Sequence, residues 1–181
     1  MKRYLASRSI ALALKGVPGV YVHGALGTAN NYDLADKTGL NRDINRSMIY
    51  SDVVERDLRD PDSKVSLLLS YGSRLNLTRT QNRSFHPRGS QKVLDLSSDV
   101  FAVLRTSPEG DEHVLAITNV TPRKTHLEIR LDELNVKAES WQDLIGGKHW
   151  HAKGGKIQIH LQPYDVAWLK PAAEVEGKGW L

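Results

Sequence analysis

The hydrophobic period of this chain changes once, and the change falls on Phe85–Gly89 (FHPRG). Before it, Val65, Leu68, Leu69, Gly72 and Leu75 recur at the spacing of one helix face, with Lys64, Arg74, Arg79 and Arg83 off the stripe. After it, Gln91–Leu96, Val100–Thr106, His113–Asn119 and Leu127–Leu131 alternate or run apolar over strand length. Ser140–Ile145, Lys148–His151, Lys156–Leu161 and Tyr164–Leu169 continue the series, separated by turn residues such as SPEGDE at Ser107–Glu112 and the pairs Gly146–Gly147 and Gly154–Gly155. Seven or eight short strands with regular turns predict an antiparallel β-sandwich over residues 87–170. The fold class expected is therefore α/β over 1–86 followed by all-β, with a loose tail over 171–181.

Within the first part, Lys2–Lys15 predicts a helix that Gly16 and Pro18 end. Val17, Val20, Tyr21 and Val22, bracketed by Gly16 and Gly24, predict a short buried strand. Helix, tight turn and apolar strand make half of a βα unit, so the strand expected before Lys2 is missing and Met1 is not expected to be the biological start. From Gly24 to Arg46 the chain is a long polar loop with Tyr32, Leu34, Leu40 and Ile44 as anchors, a composition that suits either a binding loop or an ordinary surface loop. Tyr50–Leu58 predicts a short helix. Asp60 and Pro61 then supply a cap and a first-turn proline for a helix over Pro61–Asn82. That helix should bury its stripe and leave Leu77 and Tyr71 outside it.

Charge and composition narrow the function classes. The net charge is +4, but Lys and Arg are scattered among acids, which argues against nucleic acid as a partner. With no cysteine there is no disulfide, thiolate metal site or cysteine nucleophile. No stretch approaches the roughly 18 apolar residues of a membrane span, and the start lacks a signal-peptide cleavage site, so no membrane and a cytoplasmic location are expected. Walker A, GxGxxG, GxSxG and HExxH are absent, and no cofactor is expected. His149 and His151 flank Trp150 on one strand face, but two imidazoles alone make a poor zinc site, and no metal is expected. His23 falls at the end of the expected strand, where barrel enzymes place site residues. Asn41, Arg42, Asp43, Asn45 and Arg46 pack two guanidinium groups, an acid and two amides into six residues. That group suits bidentate recognition of phosphate or sugar hydroxyls, and equally an Arg–Asp network that pins the loop.

The stretch GVPGVYVHGALGTANNYDLADKTGLNRDINR (Gly16–Arg46) resembles the region of the eighth barrel strand in the sucrose phosphorylase group of the α-amylase superfamily, with its PGIYYHSLLG-type strand and TG-x-x-R-x-INR-type loop. LNLTRTQNRSFHP (Leu75–Pro87) is similar to that family's last barrel helix. VFAVLR, HVLAITNV, WQDLIGG and LQPYDVAWL follow the rhythm of its C-terminal β domain. The resemblance implies that residues 1–86 are the last helix-strand-helix portion of a (β/α)8 TIM barrel and 87–170 a C-terminal β-sandwich. It implies an enzyme that transfers glucose from sucrose or a related α-glucoside to phosphate. The nucleophilic and acid/base carboxylates that such chemistry needs about 5 Å apart come from earlier strands, so none is expected in this chain.

What the resemblance leaves to this chain is the rim of the site. Arg42 aligns with an arginine on the acceptor side, where phosphate or the fructosyl group binds, and His23, Asn31, Tyr32 and Asp33 are further loop candidates. Asp43, Asn45 and Arg46 are expected to shape the loop. GALGTANNYD departs from the SLLG-SRND wording of relatives, which leaves sucrose, sucrose phosphate, glucosylglycerate and glucosylglycerol open. The expected partners are the α-glucoside and inorganic phosphate, with a homodimer as a further possibility. Two other classes fit: a hydrolase or transglucosidase of the same superfamily, and a non-catalytic module that binds glucan on Trp141, Trp150 and Trp168.

Overall fold

The computed structural model describes residues 1–172. The helices are α1 (Lys2–Ala13), α2 (Val22–Leu26), α3 (Tyr32–Thr38), a 3-10 turn at Asn41–Asn45, α4 (Ser51–Arg59) and α5 (Lys64–Gln81). Strands β1 (Ser90–Leu94), β2 (Val100–Thr106), β3 (His113–Asn119), β4 (Thr125–Arg130), β5 (Ser140–Asp143), β6 (His149–Lys153), β7 (Lys156–Leu161) and β8 (Val166–Pro171) follow, with a short α6 (Leu131–Leu134) after β4. Pro171, the first residue of the expected loose tail, belongs to β8; the expected tail from 173 on lies outside the described residues. The chain forms two compact units, one of Met1 with Pro18–Arg74 and one of Lys2–Val17 with Leu75 onward.

In the first unit the expected strand at Val17–Val22 is not formed. Val17–Tyr21 has no regular structure and Val22 opens α2. Strand propensity describes side chains that fit a pleated, half-buried surface, and a strand exists only where a neighbour pairs with it. Among the described residues nothing pairs with this segment, and Val17 is 84% exposed, with Val20, Tyr21 and Val22 also exposed. The long loop beyond it is folded into α2, α3 and the 3-10 turn. Val65 and Leu68 on the first half of α5 are buried as their spacing predicted, while Leu77, further along, is exposed.

Gly27 closes α2 in the left-handed conformation, φ +63°, with its N–H bonded to Gly24 O. A Cβ there would overlap Leu68 Cδ1, and Lys64 Nζ bonds the Gly27 carbonyl at 2.7 Å. Gly27→Ala combines a disfavoured φ with that overlap, and should cost the unit about 2 kcal/mol. Faster hydrogen exchange confined to Val22–Thr38 would register it; unchanged exchange would mean that the segment is already open.

In the second unit all eight strands join one antiparallel sheet in the order β1-β2-β3-β8-β5-β6-β7-β4. The expected two-sheet sandwich is thus a single sheet that curls on itself, because short β5 and β6 bridge its halves through the pair Trp141↔Trp150 and through β8 and β7. Its inner face gathers Leu104, Leu115 and Ile117 with Ile129, Ile157, Ile159 and Trp141 in one core. On β4 and β7 the alternation is strict, inward at Leu127, Ile129, Ile157 and Ile159 and outward between them. Trp141 and Trp168 are fully buried and Trp150 packs against the core, so the tryptophans do not form the exposed stacking platform considered above. Asp143, also buried, ties β5 to β8 by accepting N–H bonds from Ile145 at 3.0 Å and Trp168 at 3.1 Å. Burial pushes its carboxyl above the usual carboxylate range in spite of those bonds.

The end of α1 is held by two buried arginines. Arg105 of β2 donates to Ala13 O (2.9 Å), His86 O (3.1 Å) and Ser90 O (3.2 Å). Arg79 of α5 donates to Leu12 O, to Leu14 O at 3.2 Å and to Gly16 O at 2.6 Å. Both guanidinium groups also lie over the Phe85 ring, at 5.6 Å for Arg79 and 5.8 Å for Arg105, and Phe85 packs on Trp168. The last carbonyls of a helix have no partner within it, and its negative end favours cations. Desolvation, and then the neighbouring charge of Arg79, lower the Arg105 pKa to about 10, which leaves it charged at neutral pH.

Candidate functional site

The first unit carries the residues singled out from the sequence. The turn Asn41–Asn45 is fastened by its main chain: Asn31 N donates to Ile44 O at 2.6 Å, and Tyr21 Oη donates to Asn45 O at 3.1 Å. Asn31 also caps α3, its Oδ1 accepting from Leu34 N at 2.9 Å. One asparagine therefore sets both the start of α3 and the position of the turn. Tyr21 and Asn31 are the positioning residues here. Tyr21 escaped notice because its ring suggested an inward-facing strand residue.

Because carbonyls hold the turn, its cationic side chains project outward. The Arg42 side chain is 67% exposed and approaches the Asp43 carboxylate only at 3.9 Å, while Asp43 is largely covered. Arg46 follows the turn and is exposed. Tyr32 and Asp33 are exposed in the first turn of α3, and the Tyr32 hydroxyl accepts from Asn30 Nδ2 at 3.3 Å. His23 lies in the first turn of α2 rather than at a strand end. Its ring sits 5.1 Å from that of Tyr21, and its Nδ1 is buried with no hydrogen-bond partner.

This arrangement can offer charged, forked donors to an anion or a polyol, and one unsatisfied imidazole nitrogen. Of its acids, Asp33 lies in the first turn of α3 and Asp43 stands beside Arg42 in the 3-10 turn. Among the described residues no group of three or more His, Cys, Asp or Glu could hold a metal ion, and no helix is long and apolar enough to cross a membrane.

Comparison with known proteins shows what the chain is similar to. Residues 92–168 match the maltogenic amylase C-terminal domain. Glucosylglycerate phosphorylase of Spirochaeta thermophila is 35% identical over 179 residues, 94% of this chain and 30% of the relative. The glucosylglycerate phosphorylase of Escherichia coli is 28% identical over 93% of this chain and 28% of its own length. A shorter match, 38% identical over 60 residues, is to the sucrose phosphorylase of Bifidobacterium adolescentis, covering 33% of this chain and 12% of that protein. Among solved structures, AmyP in complex with maltose superposes with a TM-score of 0.76 at 22% identity, covering 95% of this chain and 35% of that one. An α-amylase from Anoxybacillus gives 0.74 at 16%, covering 96% and 33%. The chain spans under a third of the curated relatives it matches over most of its own length. Both the domain match and the relatives point the same way: over nearly its whole length this chain is similar to phosphorylases of the α-amylase superfamily, and its residues 92–168 to the C-terminal domain of maltogenic amylases.

Proposed function

We propose that the chain forms the closing part of a retaining α-glucoside phosphorylase whose substrate is glucosylglycerate, cleaved by phosphate to α-glucose 1-phosphate and glycerate. The observation that carries this reading is the 35% identity to a glucosylglycerate phosphorylase across 94% of the chain. In this reading Val17–Val22 is the last strand of a (β/α)8 barrel, which pairs when neighbouring strands flank it, and its exposed valines become barrel interior and packing face. The carboxylates that form and break the glucosyl-enzyme bond are supplied by earlier strands. This chain contributes the acceptor side. Arg42 binds phosphate or glycerate carboxylate, and His23, whose buried Nδ1 has no partner in this chain, is a second candidate on this side.

The test is a chimera in which this chain replaces the corresponding C-terminal part of the Spirochaeta thermophila enzyme. The chimera should release glucose 1-phosphate from glucosylglycerate only when phosphate is present, and the 181-residue chain by itself should release none. Turnover unaffected by phosphate would instead favour a hydrolase or transglucosidase, a second reading supported by the fold likeness to an α-amylase. Phosphorolysis by the isolated chain would overturn the assignment of the carboxylates to other strands.

A further inference from the structure

We propose that the outer face of the β4–β7 ladder carries a two-histidine site for a divalent transition metal of tetragonal preference, nickel(II) or copper(II). His126 and His160 are direct register partners on the two strands. Their rings meet edge to face, with centroids 4.4 Å apart, and the two Nδ1 atoms are 2.6 Å apart. Two ring nitrogens at that distance share one proton, one donating and the other accepting, so a lone pair already points into the gap.

A metal ion takes that proton's place: the donating ring gives its Nδ1 proton to solvent and takes one up on Nε2, so both rings stay neutral and both Nδ1 lone pairs face the metal. With metal–nitrogen bonds of about 2.05 Å, a 2.6 Å separation subtends about 80° at the metal. A right-angled pair of ligands needs about 2.9 Å and a tetrahedral pair about 3.3 Å, so the tetragonal arrangement is reached by a small turn of both rings and the tetrahedral one is not. Imidazole is a preferred ligand of copper and nickel. Both histidines are exposed, which leaves the remaining coordination positions to water. The backbone beneath them is fixed, because Leu127, Ile129, Ile157 and Ile159 of the same strands are buried in the core. Glu128, next along the face, is occupied by Lys156 at 2.6 Å, so the site is built on the two imidazoles. His149 and His151 offer no such pair, since neighbours two apart on one strand stand about 7 Å apart.

Equilibrium dialysis of the full chain against nickel(II) near neutral pH reads bound metal whatever the state of association. One ion per chain is expected, with His126→Gln and His160→Gln each weakening binding by about tenfold or more and the double variant His149→Gln/His151→Gln leaving it unchanged. Copper(II) should compete for the same ion's place and show an axial resonance spectrum with nitrogen splitting. Nickel retained by either single variant, nickel lost with His149 and His151, or zinc bound more tightly than copper would each overturn the proposal.

Discussion

Arg105→Met should destabilise the β unit by about 3 kcal/mol, and the effect should be read by the fluorescence of Trp168 during chemical denaturation. Two contributions oppose each other. Removing the guanidinium relieves the desolvation of a charge that is fully buried and has no carboxylate beside it among the described residues. It also strips a donor from Ala13 O, the buried one of its three acceptors, and a buried acceptor left without a donor costs about 1–3 kcal/mol. Ser90 O loses a part-buried bond and His86 O keeps Gly89 N, so their smaller losses add to that at Ala13 O and together outweigh the relief. Methionine matches the length of the stem, so little of the change comes from a cavity.

Arg79 holds Leu12, Leu14 and Gly16 at the same helix end, so Arg79→Met and Arg105→Met should couple rather than add. Arg105→Lys keeps the charge but not the planar fork, and should recover only part of the loss. Trp168 reports on the right place, since it packs on Phe85, over which both guanidinium groups lie. Equal or greater stability in Arg105→Met would show that the buried charge is a net liability at this position.

This clamp also marks where sequence reading stops. VFAVLR ends in an arginine that alternation treats as the polar end of a strand. Its burial depends on carbonyls 15, 19 and 92 positions away in the chain. The strands themselves were legible: β2, β3 and β7 occupy the bounds their patterns predicted, because a period of two is a local property. Joining them was not. Trp141↔Trp150 and the short β5 and β6 turn two half-sheets into one, and nothing in those four- and five-residue runs announces a bridge. His126 and His160 met for the same reason that Arg105 was missed, a register between segments 34 residues apart.

The Val17–Val22 segment failed in the other direction. Its β-branched composition is genuine, but pairing belongs to the partner strand and not to the residues that would be paired. In the loop, the density of polar groups in NRDINR was visible, and the structure gathers Asn41–Asn45 into one 3-10 turn with Arg46 directly after it. What fastens that turn was not visible, because Tyr21 and Asn31 act on its carbonyls and leave no mark on its side chains.

That distinction makes Arg42 the most informative substitution for function. In the chimera, Arg42→Ala should lower kcat/KM for phosphate by about a hundredfold, equivalent to about 2.7 kcal/mol of transition-state stabilisation. The first half-reaction, read as the burst of glycerate released when the glucosyl-enzyme forms, should change by no more than a few fold. The separation is expected because Arg42 does not build the turn: Asn31 N and Tyr21 Oη grip Ile44 O and Asn45 O, and the Arg42–Asp43 contact is long and exposed. Removing the side chain therefore removes a forked donor for an anion while the backbone stays in place. Arg42→Lys keeps the charge and loses the fork, so it should fall between the wild type and the alanine variant for phosphate, and match the wild type in the glycerate burst. The companion variant Asn31→Ala removes the cap of α3 and frees the start of that helix, and it should slow both half-reactions together. If Arg42→Ala behaves like Asn31→Ala, with equal losses in the two steps, Arg42 is a structural residue, and the acceptor side of the pocket must be sought at His23 and Tyr32 instead.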